Sequence, residues 1–347
     1  MKSTEEMINT TEKENPIPDE FAKEAVSEKT EHMLNRLQLG AGVCLAVIAA
    51  LIGIKLYRQD RQMDITQPFS RTMVLASDPL SSEKRFQAEP LASDLCVGET
   101  SVPLNANSFS SQVKAGLFDL DHKKVLFAQN MYDKVYPASI TKVLTALVAL
   151  ENGQLTDNVT FSHDSVAFLQ RGDSSVGLKE GNVITLDQAM HAMLLASANE
   201  AAYAIGESVG VNAGHDYNWF IEQMNSRCKE LGGENSNFAN TNGLHDPNHY
   251  TCARDMALIG RELFKHPEFF QIVQTLNYTI PASETTEEHV FHQKHKMLQP
   301  SNSNYYPYTI GGKTGYTSDA LSTLITMADN GQTQLVCVVL RTHGKNI

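Results

Sequence analysis

The chain has 347 residues, 41% of them hydrophobic, and a formal charge of −12 at neutral pH. That suffices to bury a large core in one sizeable domain or two smaller ones. The acidic balance and the absence of any Lys/Arg run argue against a nucleic-acid partner, because the phosphate backbone is held through clustered positive charge.

Residues 1–36 carry nine acids against five bases, two prolines and no apolar periodicity, the composition of a disordered tail. From Leu39 to Ile54 there are sixteen residues without a polar side chain, and with Lys55 snorkelling the span reaches Tyr57. Residues 37–57 therefore read as a single transmembrane anchor. A cleaved signal peptide fits less well, since no small-residue cleavage site follows. Flanking charge does not decide the orientation: Lys23, Lys29 and Arg36 face Lys55, Arg58, Arg61 and Arg71. Residues 58–106, with Pro68, Pro79, Pro90 and Pro103 among Ser, Asp and Gln, read as an extended stalk. The folded domain is expected over 107–347.

Within it, residues 113–120 and 125–129 are patterned as a hairpin. Residues 139–151 (SITKVLTALVALE) are apolar nearly all round, as in a helix at a domain centre. Thr185 and Gln188 form a capping box for a helix running to about Leu195, and Asp216 caps another that stops at Gly232-Gly233. An amphipathic helix is expected over 253–264. Strands follow at 276–280, 308–315, 321–328 and 334–340. Five scattered cysteines (Cys44, Cys96, Cys228, Cys252, Cys337) suit buried thiols rather than a disulfide framework, with Cys228–Cys252 left as an open pairing.

Three short motifs carry chemistry. Ser139 and Lys142 stand at i and i+3, where a lysine deprived of its charge by burial can act as base to a hydroxyl. S-x-x-K also begins at Ser81, Ser111 and Ser226, but only Ser139 opens a wholly apolar helix, after Tyr136-Pro137-Ala138. Ser197-Ala198-Asn199 interrupts two helical patterns and should present both polar side chains from a tight turn. Lys313-Thr314-Gly315, preceded by Gly311-Gly312, lies on a strand where lysine can face an anion and glycine admits close backbone approach. Ser139 and Ser197 are 58 residues apart, Ser197 and Lys313 a further 116.

In this order and spacing the chain resembles the penicillin-recognising serine enzymes. The wording YPASITK, LLASANEAA, HYTCARDMALI and GGKTGYT resembles the low-molecular-mass penicillin-binding proteins that act as D-Ala-D-Ala carboxypeptidases, over roughly residues 107–341. The resemblance implies an α/β (α+β) fold of the β-lactamase/transpeptidase kind, an antiparallel sheet flanked by helices beside an all-helical lobe. It implies that Ser139 attacks the penultimate D-Ala carbonyl of a peptidoglycan stem peptide with Lys142 as base. Ser197 and Asn199 would help relay protons and hold the peptide. Lys313 would position the terminal carboxylate with Thr314, Gly315 and Tyr316 beside it, and the amides of Ser139 and Tyr316 would form the oxyanion hole. β-Lactams would be covalent inhibitors, no metal or cofactor would be required, and the catalytic domain would lie outside the cytoplasm of a bacterium on a single-pass anchor.

The sequence departs from the family pattern at Ala198, where Gly is common, and at Ala320-Leu321, where Ala-Gly is usual and Leu is expected to crowd the packing behind the site. It ends 34 residues after Lys313, where the family continues into a helix covering the sheet, so either the sequence is a truncated product or another element is expected on that face. The usual C-terminal amphipathic anchor is likewise missing, with the N-terminal span in its place. A class A β-lactamase would need E-x-x-L-N after the second motif, and the only such string, from Glu31 to Asn35, precedes the membrane span. A catalytically silent β-lactam binder or sensor is the other alternative, discriminated by D-Ala release. His289, His292 and His295, or His245 and His249, invite a metal, but hydrogen-bonding histidines suit their settings better. Asp255 beside Arg254 reads as a structural ion pair, and Tyr305 and Tyr306 as loop aromatics near the cleft.

Overall fold

The computed structural model describes residues 110–343; the expected tail, membrane span and stalk lie outside the described residues. Among the described residues no helix is long and apolar enough to cross a membrane.

The described chain begins with a hairpin, β1 (Lys114–Asp119) and β2 (Lys124–Gln129), then a 3₁₀ turn at Ala138–Thr141 that runs directly into α1 (Lys142–Asn152). A two-stranded ribbon, β3 (Asn158–Thr160) with β4 (Val183–Thr185), brackets the short α2 (His163–Ala167). The helices α3 (Leu186–Leu195), α4 (Asn199–Asn212) and α5 (Tyr217–Glu230) follow, then α6 (Ala253–Leu263) and α7 (Pro267–Val273). A second ribbon, β5 (Asn277–Ile280) with β6 (His289–His292), leads to the long strands β7 (Thr309–Thr317), β8 (Leu321–Asp329) and β9 (Gln334–Thr342).

The five long strands form one antiparallel sheet in the order β2-β1-β9-β8-β7. The last strand thus returns to the middle, joining the first hairpin to the final meander, and leaves β7 as an edge. α6 lies across β1, β8 and β9. Gly260 permits that approach, since a Cβ there would come within 3.1 Å of both Ile325 and Val336. α1 is buried on every side, with Val143, Leu144, Ala146, Leu147 and Ala149 packed among α3, α4, α5 and α6. That is the reason its sequence is apolar all round. The expected caps form: Thr185 and Gln188 close a reciprocal capping box on α3, and Asp216 accepts the Trp219 amide at the start of α5.

Two expectations need correction. The helical lobe is not all helix, because β3–β4 and β5–β6 are inserted in it; β5 is the strand expected at 276–280, while β3, β4 and β6, of three and four residues, are too short to show a period of two. Leu321, expected to crowd the site, is half-buried and starts β8 with a left-handed φ of 59°. Its cost is backbone strain, at the position where glycine is usual. Leu321→Gly is expected to raise stability by about 0.5–1 kcal/mol, the strain of about 1–2 kcal/mol less the extra chain entropy of glycine. Thermal unfolding of the two proteins side by side checks the sign.

Candidate active site

The corner holding Ser139 is strained and braced. Ala138 adopts a left-handed φ of 51°, which costs a residue with a Cβ. Thr141 Oγ1 donates to the Ala138 carbonyl at 2.9 Å, and Thr323 Oγ1 donates to the Pro137 carbonyl at 2.8 Å. Buried His249 accepts the Ala239 amide at Nδ1 (3.1 Å), so Nε2 carries the proton and donates to Thr141 Oγ1 at 2.8 Å. Gly243, with φ of 84°, presses so closely that a Cβ would collide with the Ala138 carbonyl. Ser139 consequently lies in the 3₁₀ turn rather than at the first residue of the α-helix. In such a turn i and i+3 eclipse, and Lys142 Nζ comes to 3.0 Å from Ser139 Oγ.

Lys142 is wholly buried, and its Nζ also reaches Asn199 Oδ1 at 2.8 Å and the Asn242 carbonyl at 2.6 Å. Three acceptors suit an ammonium; in the neutral amine the lone pair accepts the Ser139 proton instead. Burial, and then the charge of Lys313, hold the Lys142 pKa well below that of an ordinary lysine. Glu200 and Asp173 work upward against them, while Lys294 adds to the downward push.

The turn between α3 and α4 carries the second motif. Ser197 has a left-handed φ of 69° and is buried, and its hydroxyl makes no hydrogen bond to another described residue. Asn199 begins α4 and projects its amide to Lys142. Lys294, in the segment after β6, donates from Nζ to the Ala196 carbonyl at 2.5 Å and so ties this turn to the sheet side.

The third motif runs along the edge strand β7. Lys313 is buried, Thr314 and Gly315 are half-buried, and Tyr316 is 65% exposed. A Cβ on Gly315 would lie 2.8 Å from the Ser139 amide nitrogen, and one on Gly312 would lie 2.5 Å from His295 Nε2. Only glycine lets the strand pass Ser139 this closely. Lys313 Nζ donates to the Thr314 carbonyl at 2.7 Å, and burial, then Lys294, pushes its pKa down to about 7.

That buried lysine weakens the fold. Its folded pKa lies below the unfolded value of roughly 10.4, so the unfolded chain binds a proton that the native state does not, and stability falls as pH drops from about 10 to 7. Lys313→Met is therefore expected to raise stability at pH 7 by about 2–4 kcal/mol, with the gain shrinking toward pH 10. Urea titrations at the two pH values measure it.

Sequence reasoning missed Asn242, Lys294, Glu200 and the bracing role of His249. Asn242 contributes a backbone carbonyl, which leaves no mark in residue type. His249 stands in HYTCARDMALI, but no spacing linked it to Thr141. The remaining candidates serve elsewhere. His289 bonds the Val176 carbonyl, His292 bonds Asn277, and buried His295 bonds Thr326 Oγ1. His245 packs edge-on to Tyr136. Asp255 pairs with Arg254 at 3.2 Å and accepts the Asn235 amide and the Ser236 hydroxyl. Tyr306 packs on Tyr308. Cys228 and Cys252 are free thiols. Among the described residues Glu151, Glu262 and His266 have the spacing of metal ligands, but Arg227 lies 2.8 Å from both carboxylates and Lys265 lies 2.8 Å from Glu262, so the two acids already face two cations.

The fold matches solved enzymes. The Streptomyces K15 DD-transpeptidase superposes with a TM-score of 0.62 at 23% identity, covering 69% of this chain and 93% of that one. A D-alanyl-D-alanine carboxypeptidase from Mycobacterium tuberculosis H37Rv gives 0.60 at 29% identity, over 71% and 88%. In sequence, D-alanyl-D-alanine carboxypeptidase DacF of Bacillus subtilis is 31% identical over 65% of this chain, and DacC of Escherichia coli is 32% identical over 65%. The matched stretch spans 56% and 55% of those two relatives. Residues 105–344 match the D-alanyl-D-alanine carboxypeptidase family, and the chain belongs to it.

Proposed function

We propose that this protein is a serine-type D-Ala-D-Ala carboxypeptidase that removes the terminal D-alanine from peptidoglycan stem peptides, anchored in a bacterial membrane through residues 39–54 with its catalytic domain outside the cytoplasm. The observation that carries the reading is the buried Lys142 amine 3.0 Å from the Ser139 hydroxyl.

In this reading neutral Lys142 takes the Ser139 proton as Oγ bonds to the penultimate D-Ala carbonyl carbon. The oxyanion forms at the Ser139 and Tyr316 amides. When the C–N bond breaks, the proton passes through Lys142 and Ser197 to the departing amine, and free D-alanine leaves an acyl-Ser139 ester. Water, deprotonated by the same lysine, then hydrolyses the ester and returns the proton to Ser139. Lys313 and Thr314 hold the terminal carboxylate, while the open edge of β7 can pair with the peptide backbone. A β-lactam would acylate Ser139 in the same way, but with its amide nitrogen still tethered.

The test is D-alanine release from a peptide ending in D-Ala-D-Ala, together with mass spectrometry of the chain after exposure to penicillin. Release with the adduct on Ser139 supports the reading. An adduct without release would identify a silent binder, and neither would remove the chain from this chemistry.

A further inference from the structure

Glu200 is fully buried yet belongs to none of the three motifs. Its Oε1 accepts from the Ser175 hydroxyl at 2.7 Å, the Val176 amide at 2.7 Å and the Gly177 amide at 3.2 Å. Its Oε2 is buried without a partner. One residue earlier, the Asn199 amide donates to the Ser174 carbonyl at 2.8 Å. The first two residues of α4 thus hold the 173–177 loop on one side, while the Asn199 side chain reaches Lys142 on the other. A carboxylate used only to fasten a loop could be replaced by a neutral acceptor at far lower desolvation cost.

The charges around Lys142 explain why a carboxylate is present. Lys313 on β7 and Lys294 after β6 press toward the neutral amine, together with burial; the opposing charges are Glu200 itself and Asp173, which sits on the loop that Glu200 fastens. His249, the other titratable group facing Lys142, is held neutral by its own burial. A base depressed too far is a weak base, so the counter-charge matters as much as the burial.

We infer that Glu200 is a positioning residue of this site: it pins the 173–177 loop to the start of α4 and, with Asp173 carried on that loop, supplies the negative charge against which Lys142 works. The inference rests on Lys142 being the base for Ser139, as proposed above.

The experiment uses the full chain and reads the acylation rate by a fluorescent penicillin from pH 5 to 10 in the parent, Glu200→Gln and Asp173→Asn. Glutamine preserves the acceptor oxygen and the loop, so a fastening role alone leaves the pH profile in place. The inference expects the acid limb of Glu200→Gln to move down by about one pH unit and its plateau to fall several-fold, as a weaker base requires. Asp173→Asn should move the limb in the same direction by less; if Glu200→Gln does not fold, this variant decides the matter. Unshifted limbs in the folded variants overturn the inference. A parent that fails to acylate at any pH overturns the proposed function instead, so the two failures are distinguishable.

Discussion

Ser139→Ala is expected to abolish penicillin labelling and D-alanine release together, and Lys142→Met to slow acylation by about 10³-fold or more while Ser139 remains in place. The two losses have different origins. Without the Ser139 hydroxyl there is no covalent route. Without Lys142 the hydroxyl keeps its proton, because no other group within hydrogen-bond reach of Oγ can take it: among the described residues the bonded partner of Ser139 Oγ is Lys142 Nζ. The double variant should be no slower than Ser139→Ala alone, as for residues that act as a unit. Lys142→Met also leaves Asn199 Oδ1 and the Asn242 carbonyl without their donor, which offsets the gain from removing a buried amine. Its unfolding free energy should therefore stay within about 2 kcal/mol of the parent, so that lost rate cannot be ascribed to lost fold. Stopped-flow acylation and urea unfolding on the same preparations separate the two. A Lys142→Met rate within tenfold of the parent would place the base elsewhere.

The parts of the site legible in the sequence are those whose geometry is local. Ser139 and Lys142 are three residues apart, and a helical turn of either kind brings them together. Ser197 and Asn199 sit at a break between two apolar periods, and Lys313 sits among glycines on a strand. What was not legible depends on contacts across the chain. Lys142 draws its third acceptor from Asn242, 100 residues away, and the turn at Ser197 is held by Lys294, 98 residues beyond Ala196. Glu200 follows Asn199 directly, yet in sequence it is one more polar residue opening a helix. The long strands and capped helices were readable because burial imposes a period on them. The ribbon β3–β4 and the strand β6 were not, being too short to display one, whereas β5 falls within the strand expected at 276–280.

Two buried histidines should make the fold acid-sensitive well above the range in which carboxylates titrate. Burial pushes His249 to about 4, and burial with Lys313 pushes His295 to about 4, from an unfolded value near 6.5. For a group with a depressed folded pKa that is cationic when protonated, the unfolded chain binds the proton first, so stability falls as pH drops through 6.5 and levels off only below 4. Each histidine then costs roughly 2 kcal/mol by pH 5, and the pair about 3–4 kcal/mol between pH 7 and pH 5, a large share of a typical domain's stability. The geometry gives the reason. His249 Nδ1 already accepts the Ala239 amide, so that ring has no acceptor for a second proton, and His295 Nδ1 is buried without a partner. In the folded protein His249 takes up its second proton only near pH 4, at Nδ1, where it displaces the Ala239 amide while Nε2–H still donates to Thr141 Oγ1, so the loss between pH 7 and 5 should appear in stability before it appears in the activity of the folded enzyme. The lowered carboxylate of Glu262 adds its own acid loss, but only as pH falls through and below its ordinary range near 4.5. Urea unfolding at pH 7, 6 and 5 isolates the histidines from it. In His295→Gln the loss between pH 7 and pH 5 should shrink by that histidine's share, roughly 2 kcal/mol, with His249, His191 and the buried Lys142 still contributing the remainder; an unchanged slope would mean that His295 is not the group taking up the proton.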